Sequence, residues 1–450
     1  MNRNLTLPVI VSIIFFNVSG GPYALEGVLA AGPGLALLLI VAAPVIWSAP
    51  VALVCAEMGS ALPEEGGYYA WSKRALGPFG AFCQGFWAWL FSAVNMAMYP
   101  AMFCDYLSYF VPAVEVEGHI WLRRCVMLAM IWGFVLMNLK GARTVGNLSR
   151  VFMLMVLSPF AVMVLVGIYR GVTEGFPLSA VSPVVAEGRT PSAALAAAIP
   201  IILWNFLGWD SISTIAGEMQ NPARDYPRAL LIAILLITAI YLVPSVIALT
   251  FVGTVEVDWK TGAWSIAAAR LAGPWLGNLT SAMGMVAAAG LYSGLVLVGS
   301  RVPFVMGQDR FLPRALARCN RYDAPWVSLV ICGSIYSAVV MTFKNIDELA
   351  AADVTLYAAM IALELLSFVV LRWREAELTR PYKVPGGWTG AAVVCALPLA
   401  CVSAAAYYHV GEFGIWNVVG KPLIATALVP VAFPLVFGWR RRQARFGAPD

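Results

Sequence analysis

Charge is what this sequence has least of. Only 12% of its 450 residues are Asp, Glu, Lys or Arg, while 61% are hydrophobic and the mean hydropathy is +0.80. That balance excludes a soluble globular protein, and no polar stretch is long enough to form a separate soluble domain. The apolar runs are continuous rather than alternating, which excludes a transmembrane barrel. Histidine is nearly missing: His119 and His409 fall near the ends of apolar segments, without companions for a metal centre or a catalytic triad. The eight cysteines (55, 83, 104, 125, 319, 332, 395 and 401) show no metal-ligand spacing and read as small buried apolar residues. No metal, cofactor or enzymatic nucleophile is expected. Arg3 precedes an apolar run, but no convincing small-residue cleavage site follows, so that run is expected to be a membrane span and not a signal peptide. The class left is a polytopic helical membrane protein.

Twelve spans are expected, at roughly 7–31, 34–61, 79–111, 119–138, 144–168, 191–218, 228–252, 276–302, 325–342, 346–371, 389–409 and 421–439. With the N-terminus inside, 21 of the 29 lysines and arginines fall on the cytoplasmic side, which predicts that both termini are cytoplasmic. The net charge of +5 is then a topology signal, and nucleic-acid binding is not expected.

Two spans are interrupted. In the first, the stretch Asn17-Val18-Ser19-Gly20-Gly21-Pro22-Tyr23-Ala24-Leu25-Glu26 interrupts the apolar run; the pieces Leu7 to Val18 and Tyr23 to Ala31 together are about 22 residues, or about 33 Å of helix, close to the thickness of the hydrocarbon core. The break therefore lies inside the span. Two glycines remove helix preference, and Pro22 is suited to begin a new half-helix. In the sixth span the interruption is Trp204-Asn205-Phe206-Leu207-Gly208-Trp209-Asp210-Ser211. The two broken spans are five apart, an odd number, so the second set of five is inverted relative to the first. Matched breaks in inverted halves point to a midplane substrate site with alternating access. The halves are expected at residues 1–170 and 171–375, with 376–450 carrying spans 11 and 12.

Five acids, Glu26, Asp105, Asp210, Asp353 and Glu364, lie within spans, and no lysine or arginine lies near the middle of any span. An ionised side chain at a helix centre costs roughly 2.5–3.5 kcal/mol, so these acids should face a cavity, carry a proton or meet a cationic ligand. Glu26 falls in the first turn of the half-helix expected from Pro22 and should favour an amine over a carboxylate. Asp210 either caps the second half-helix or binds ligand. Trp204 and Trp209 offer cation–π faces, and Asn95, Tyr99 and Tyr106 share one helical stripe. Asp105, nearer the outer end, is either a vestibule charge or a helix–helix bond. Asp353, Tyr357, Met360 and Glu364 share a face of span 10 expected to point into the bundle. Tyr292 and Ser293 complete the expected lining. Glu57 and Glu218, with Lys73, Arg74, Arg224 and Arg228 nearby, form either an inner gate of ion pairs or solvated surface charge.

The residues that carry a resemblance are Ser19-Gly20-Gly21-Pro22 with Glu26, Glu57-Met58-Gly59 with Gly66-Gly67-Tyr68, and Tyr99-Pro100 with Asp105-Tyr106-Leu107. Further along come Trp209-Asp210-Ser211-Ile212-Ser213-Thr214 with Gly217-Glu218, Asp309-Arg310-Phe311-Leu312-Pro313, and Arg380-Pro381-Tyr382-Lys383-Val384-Pro385. Across nearly the whole chain it resembles the amino acid–polyamine–organocation superfamily, and within that most nearly its polyamine:cation symporter branch. The resemblance implies an all-α LeuT-type fold with a five-plus-five inverted repeat and proton-driven uptake of putrescine- or spermidine-like cations. Some proton-coupled relatives carry a lysine in span 5. This chain has none there, so the proton carrier is sought among Glu26, Asp210, Asp353 and Glu364. Span 8 offers Ser293 and little else for a sodium ion.

The expected function is therefore proton-coupled polyamine import, with Ser19, Gly20, Gly21, Glu26, Asn95, Tyr99, Trp204, Asn205, Trp209, Asp210, Tyr292 and Tyr357 forming the site. The alternative is an amino acid permease, in which the Ser19–Gly21 backbone binds a carboxylate. A membrane sensor that does not transport is a third reading. The expected partners are a small cationic or zwitterionic substrate, protons and the lipid bilayer, for a monomer in a bacterial inner membrane.

Overall fold

The computed structural model describes residues 5–114, 119–177, 181, 184–253, 257–342, 346–413 and 426–436. In chain order, α1 (Leu7–Val18) gives way to a turn and then to α2 (Glu26–Leu29). α3 (Pro33–Ala43) runs through a π-turn at Pro44–Ser48 into α4 (Ala49–Ala61). α5 (Tyr68–Asn95) and α6 (Met98–Ser108) are followed by α7 (Ile120–Asn138) and α8 (Ala142–Glu174). α9 (Pro191–Asn205) ends in a turn and a 3-10 segment, Ser211–Glu218. Then come α10 (Pro222–Phe251), α11 (Ala263–Ala272), α12 (Pro274–Gly299), α13 (Arg301–Gln308), α14 (Trp326–Thr342), α15 (Ile346–Arg374), α16 (Gly387–Phe413) and α17 (Thr426–Val436). Among the described residues there is no strand, and one β-bridge joins Leu5 to Met219.

Seven helical stretches among the described residues are long and apolar enough to cross a membrane: Pro33–Ala61, Ile120–Asn138, Ala142–Glu174, Pro222–Phe251, Pro274–Gln308, Leu356–Arg374 and Gly387–Tyr408. α1, α9, α14 and α17 are shorter apolar helices. The protein is thus an all-helical integral membrane protein. Leu154, Leu165, Leu235 and Leu435 stand exposed on the helical surface, as residues facing hydrocarbon should.

The two breaks are as placed by the sequence, but their geometry differs from expectation. The half-helix after the first break begins at Glu26 rather than at Pro22. Gly20, Gly21 and Ala24 all take positive φ, so the chain stays irregular for longer than two glycines and a proline suggested. After the second break the chain winds as a 3-10 segment instead of an α-helix. The expected start of span 3 at 79 coincides with a kink, since Gly77 has φ 70° and Pro78 follows it. The helix α11 occupies a stretch where only a connection was expected.

α1 and the second break touch directly. Gly208 has φ +96°, and a Cβ there would lie 2.3 Å from the Asn17 carbonyl oxygen. Leu5 is also tied to the end of the 3-10 segment: its amide donates to Glu218 O at 3.1 Å and its carbonyl accepts from the Gln220 amide at 3.1 Å. Gly208→Ala combines a positive φ with a backbone clash and should lower stability by about 2 kcal/mol or more. A thermal melt of the detergent-purified variant checks this, and an unchanged midpoint would mean the breaks are not in contact.

Candidate functional site

Three amides of the first break are already occupied. The Ser19 and Gly20 amides donate to Phe15 O at 2.8 and 3.0 Å, and the Gly21 amide donates to Ser19 Oγ at 3.0 Å. A Cβ on Gly20 would meet Leu291, and one on Gly21 would meet Val156, so both glycines also permit close packing. The carbonyls are met from other helices. Trp264 Nε1 donates to Pro22 O at 2.8 Å, and Asn205 Nδ2 donates to Ala24 O at 3.0 Å. The second break is met in the same way: Trp47 Nε1 donates to Phe206 O at 2.9 Å, and the Tyr241 hydroxyl donates to Asn205 O at 3.0 Å. Asn205, expected to line the substrate site, instead spends its amide hydrogens on Ala24 O and Ile201 O.

Three acids are buried in the bundle, and among the described residues none has an ion pair. Glu26 Oε1 accepts from the Tyr106 hydroxyl at 2.6 Å and from the Gly262 amide at 3.1 Å, while Oε2 has no partner. Asp210 makes no side-chain cap to its helical segment; its Oδ1 accepts from the Tyr357 hydroxyl at 3.0 Å, and Oδ2 has no partner. The capping reading of Asp210 is thereby corrected. Glu364 Oε1 accepts from the Cys55 thiol at 3.3 Å, and its Oε2 has no partner. A buried carboxylate oxygen left without a donor is costly. A group that brings donors or positive charge would offset that cost.

The other expected residues divide. Tyr99 and Trp204 stack, with ring centroids 6.1 Å apart. Tyr357, Met360 and Glu364 are all buried, as expected of one inward face; the Asp353 side chain lies outside the described residues. Trp209 is fully buried and its indole nitrogen has no partner. Asn95 lines a central cavity of about 30 Å³ with Tyr68, Ser211 and Met360, enough for ~2 waters. Tyr292 does not line that cavity; its ring packs edge-on against Tyr336. Asp105 is bonded to Arg123 at 2.6 Å and also lines a larger cavity at the far end of the bundle from Leu5, so both of its expected roles find a counterpart. The sequence reading missed Asn17, whose buried amide has no partner on either atom. Its signal was present, as the polar residue that opens the first break.

Glu57 and Glu218 are both buried in ion pairs, but not with the cations expected. Glu57 meets Arg372 at 3.4 Å and Arg380 at 3.0 Å and accepts from the Val384 amide at 2.7 Å. Glu218 meets Arg301 at 2.7 Å, and Arg301 is also 3.4 Å from Glu65. Lys73 pairs with Asp309, and Arg74 with Glu375. The sequence spacing showed neighbours along the chain, whereas the actual partners arrive from α13, from the end of α15 and from the segment after it. Glu65 sits in the connection between α4 and α5. Burial pushes its carboxyl up to about 7, against the attraction of Arg301 and with the help of Glu218. A carboxyl with a raised pKa holds its proton longer in the folded state, so stability should fall as pH rises from about 4.5 to about 7. Glu65→Gln should flatten that part of the profile and gain on the order of 2 kcal/mol at pH 8. Melting midpoints of both proteins at pH 5 and pH 8 check it; parallel profiles would rule it out.

The sequence profile of the amino acid permease family matches residues 5–433. The chain is 32% identical over 410 residues to the polyamine transporter RMV1 of Arabidopsis thaliana, covering 89% of this chain and 79% of that one. It is 32% identical over 405 residues to the polyamine transporter PUT1 of Oryza sativa subsp. japonica, covering 89% and 73%. It is also 24% identical over 400 residues to the serine/threonine exchanger SteT of Bacillus subtilis (strain 168), covering 87% and 86%. With a family match over nearly its whole length and such relatives, the chain is a membrane transporter and not an enzyme, and it belongs to the amino acid permease family of the amino acid–polyamine–organocation superfamily.

Proposed function

We propose that this transporter imports polyamines, putrescine- or spermidine-like organic cations, together with protons. The observation that carries the reading is the set of buried carboxylate oxygens that have no partner among the described residues, at Glu26 and Asp210 beside the breaks in α1–α2 and after α9, and at Glu364 of α15. Ammonium groups supply both the donors and the charge that such oxygens lack. In this reading Glu26 and Asp210 hold the substrate amines. Tyr99, Trp204, Trp209 and Tyr357 provide aromatic walls, with Asn95 and the Ser19–Gly21 turn beside them. Protons are carried among Glu26, Asp210, Asp353 and Glu364. The polyamine transporters among the relatives agree with this substrate class.

The same reading includes twelve spans with a five-plus-five inverted repeat, residues 1–170 and 171–375, followed by 376–450. The end bearing Leu5 is cytoplasmic in a bacterial inner membrane, the Glu57 and Glu218 ion pairs close the path on that side, and the protein works as a monomer. A second reading, a proton-coupled amino acid permease, is favoured by the serine/threonine exchanger among the relatives. Against it, the Ser19, Gly20 and Gly21 amides that would receive a carboxylate already donate within the break.

The test is uptake into proteoliposomes under an inward proton gradient. Wild type should accumulate putrescine or spermidine and lose that uptake when the gradient is collapsed. Glu26→Gln should reduce uptake at least a hundredfold while its melting midpoint stays near that of wild type. Full uptake by this variant would remove Glu26 from the site. Accumulation of amino acids but not of their methyl esters, with no polyamine uptake, would select the permease reading.

A further inference from the structure

A cavity of about 470 Å³ opens at the end of the bundle opposite Leu5. That is the size of a small-molecule site. Its walls are the end of α6, including Asp105 and Tyr106, the turn and start of α11 around Lys260 and Gly262, and Ser281 on α12. Two of these wall residues, Tyr106 and Gly262, donate to the same oxygen, Glu26 Oε1, although they come from elements more than 150 residues apart in sequence. The cavity therefore ends on a partition fastened to the buried acid beneath it.

Each side of the partition is held in place for this contact. The Tyr106 ring lies against Gly284, where a Cβ would come within 2.5 Å of it, and is edge-on to Tyr23 at 5.1 Å. Its backbone carbonyl accepts from Ser281 Oγ at 2.7 Å. On the other side, Trp264 anchors α11 to the first break through Pro22 O. Gly262 is at φ +97°, where a side chain is disfavoured and the amide can be turned to the acid. Both donors occupy one oxygen, so among the described residues the other, Oε2, is left without a donor.

We propose that Tyr106 is a positioning residue. Its hydroxyl, with the Gly262 amide, fixes the Glu26 carboxylate so that a single oxygen faces an ammonium group, and the same two bonds close the large cavity above the site. The cavity is then the approach to Glu26, and entry of a ligand requires Tyr106 and Gly262 to part. The ligand chemistry rests on the polyamine reading, whereas the fastening of the partition is a property of the unliganded chain.

Hydrogen–deuterium exchange of the purified, substrate-free protein tests the fastening without reference to any substrate. Tyr106→Phe keeps the ring packing and removes the donor; exchange of peptides covering residues 257–266 should quicken roughly tenfold, with no change in α8 or α12. Glu26→Ala should do the same. Glu26→Gln, which keeps a carbonyl acceptor, should leave exchange there at the wild-type rate. Equal exchange in wild type, Tyr106→Phe and Glu26→Ala would overturn the partition, as would equal acceleration by Glu26→Gln and Glu26→Ala. For positioning, KM for putrescine in proteoliposomes should rise roughly tenfold in Tyr106→Phe with a maximal rate within about twofold of wild type. An unchanged KM would overturn the positioning role. Exchange that responds as stated in a protein that takes up serine but not putrescine would leave the partition standing and remove the polyamine reading.

Discussion

A helix that stops half-way through a hydrophobic bundle leaves backbone groups that no water can satisfy, and the arrangement around both breaks follows from that constraint. Four side chains from four different helices answer it. Trp264 and Asn205 meet the carbonyls of the first break, and Trp47 and Tyr241 meet those of the second. Asn205 itself belongs to the second break, so the two irregular segments are cross-bonded, and Gly208 brings their backbones into contact. The irregular backbone is thus a supported structure, and the acids beside it are held at fixed positions.

Against this satisfied backbone, the carboxylates of Glu26, Asp210 and Glu364 differ. Each has one oxygen bonded to a neutral donor and one without a partner, and among the described residues none has a cation beside it. Elsewhere buried acids meet cations: Glu57 has two arginines and a backbone amide, and Arg301 has Glu218 and Glu65. The contrast is one of charge: at one end buried acids meet arginines, while among the described residues these three meet none. This asymmetry separates acids that meet arginines from acids that meet neutral donors alone.

The breaks, the acids near them and the membrane class were legible because they depend on local composition: glycine and proline against apolar runs, and acids where no charge belongs. Asp105 was legible in part, since a bond between helices was one of its expected roles but its partner Arg123 lies 18 residues on. The roles of Asn205 and Tyr106 were not legible. Asn205 looked like a ligand residue because it is a polar side chain in a break, yet its amide serves the backbone of another helix. Tyr106 was one of a stripe of polar residues, and nothing in its spacing indicates a glutamate 80 residues earlier. The start of the half-helix was placed at Pro22 instead of Glu26 because Ala24 adopts a positive φ that its residue type does not signal.

By itself, then, the sequence determined that the chain is a helical membrane protein, where its helices break, and which acids are out of place in hydrocarbon, because each of these is a transfer or propensity property of a short segment. Tertiary structure alone decided which of those acids are paired and which keep an open oxygen. It also decided that one tyrosine and one backbone amide share Glu26, and that arginines from α13, α15 and the segment after it complete the networks of Glu57 and Glu218. Those outcomes depend on directional contacts a few ångströms long between residues far apart in the chain, for which hydropathy and spacing carry no term.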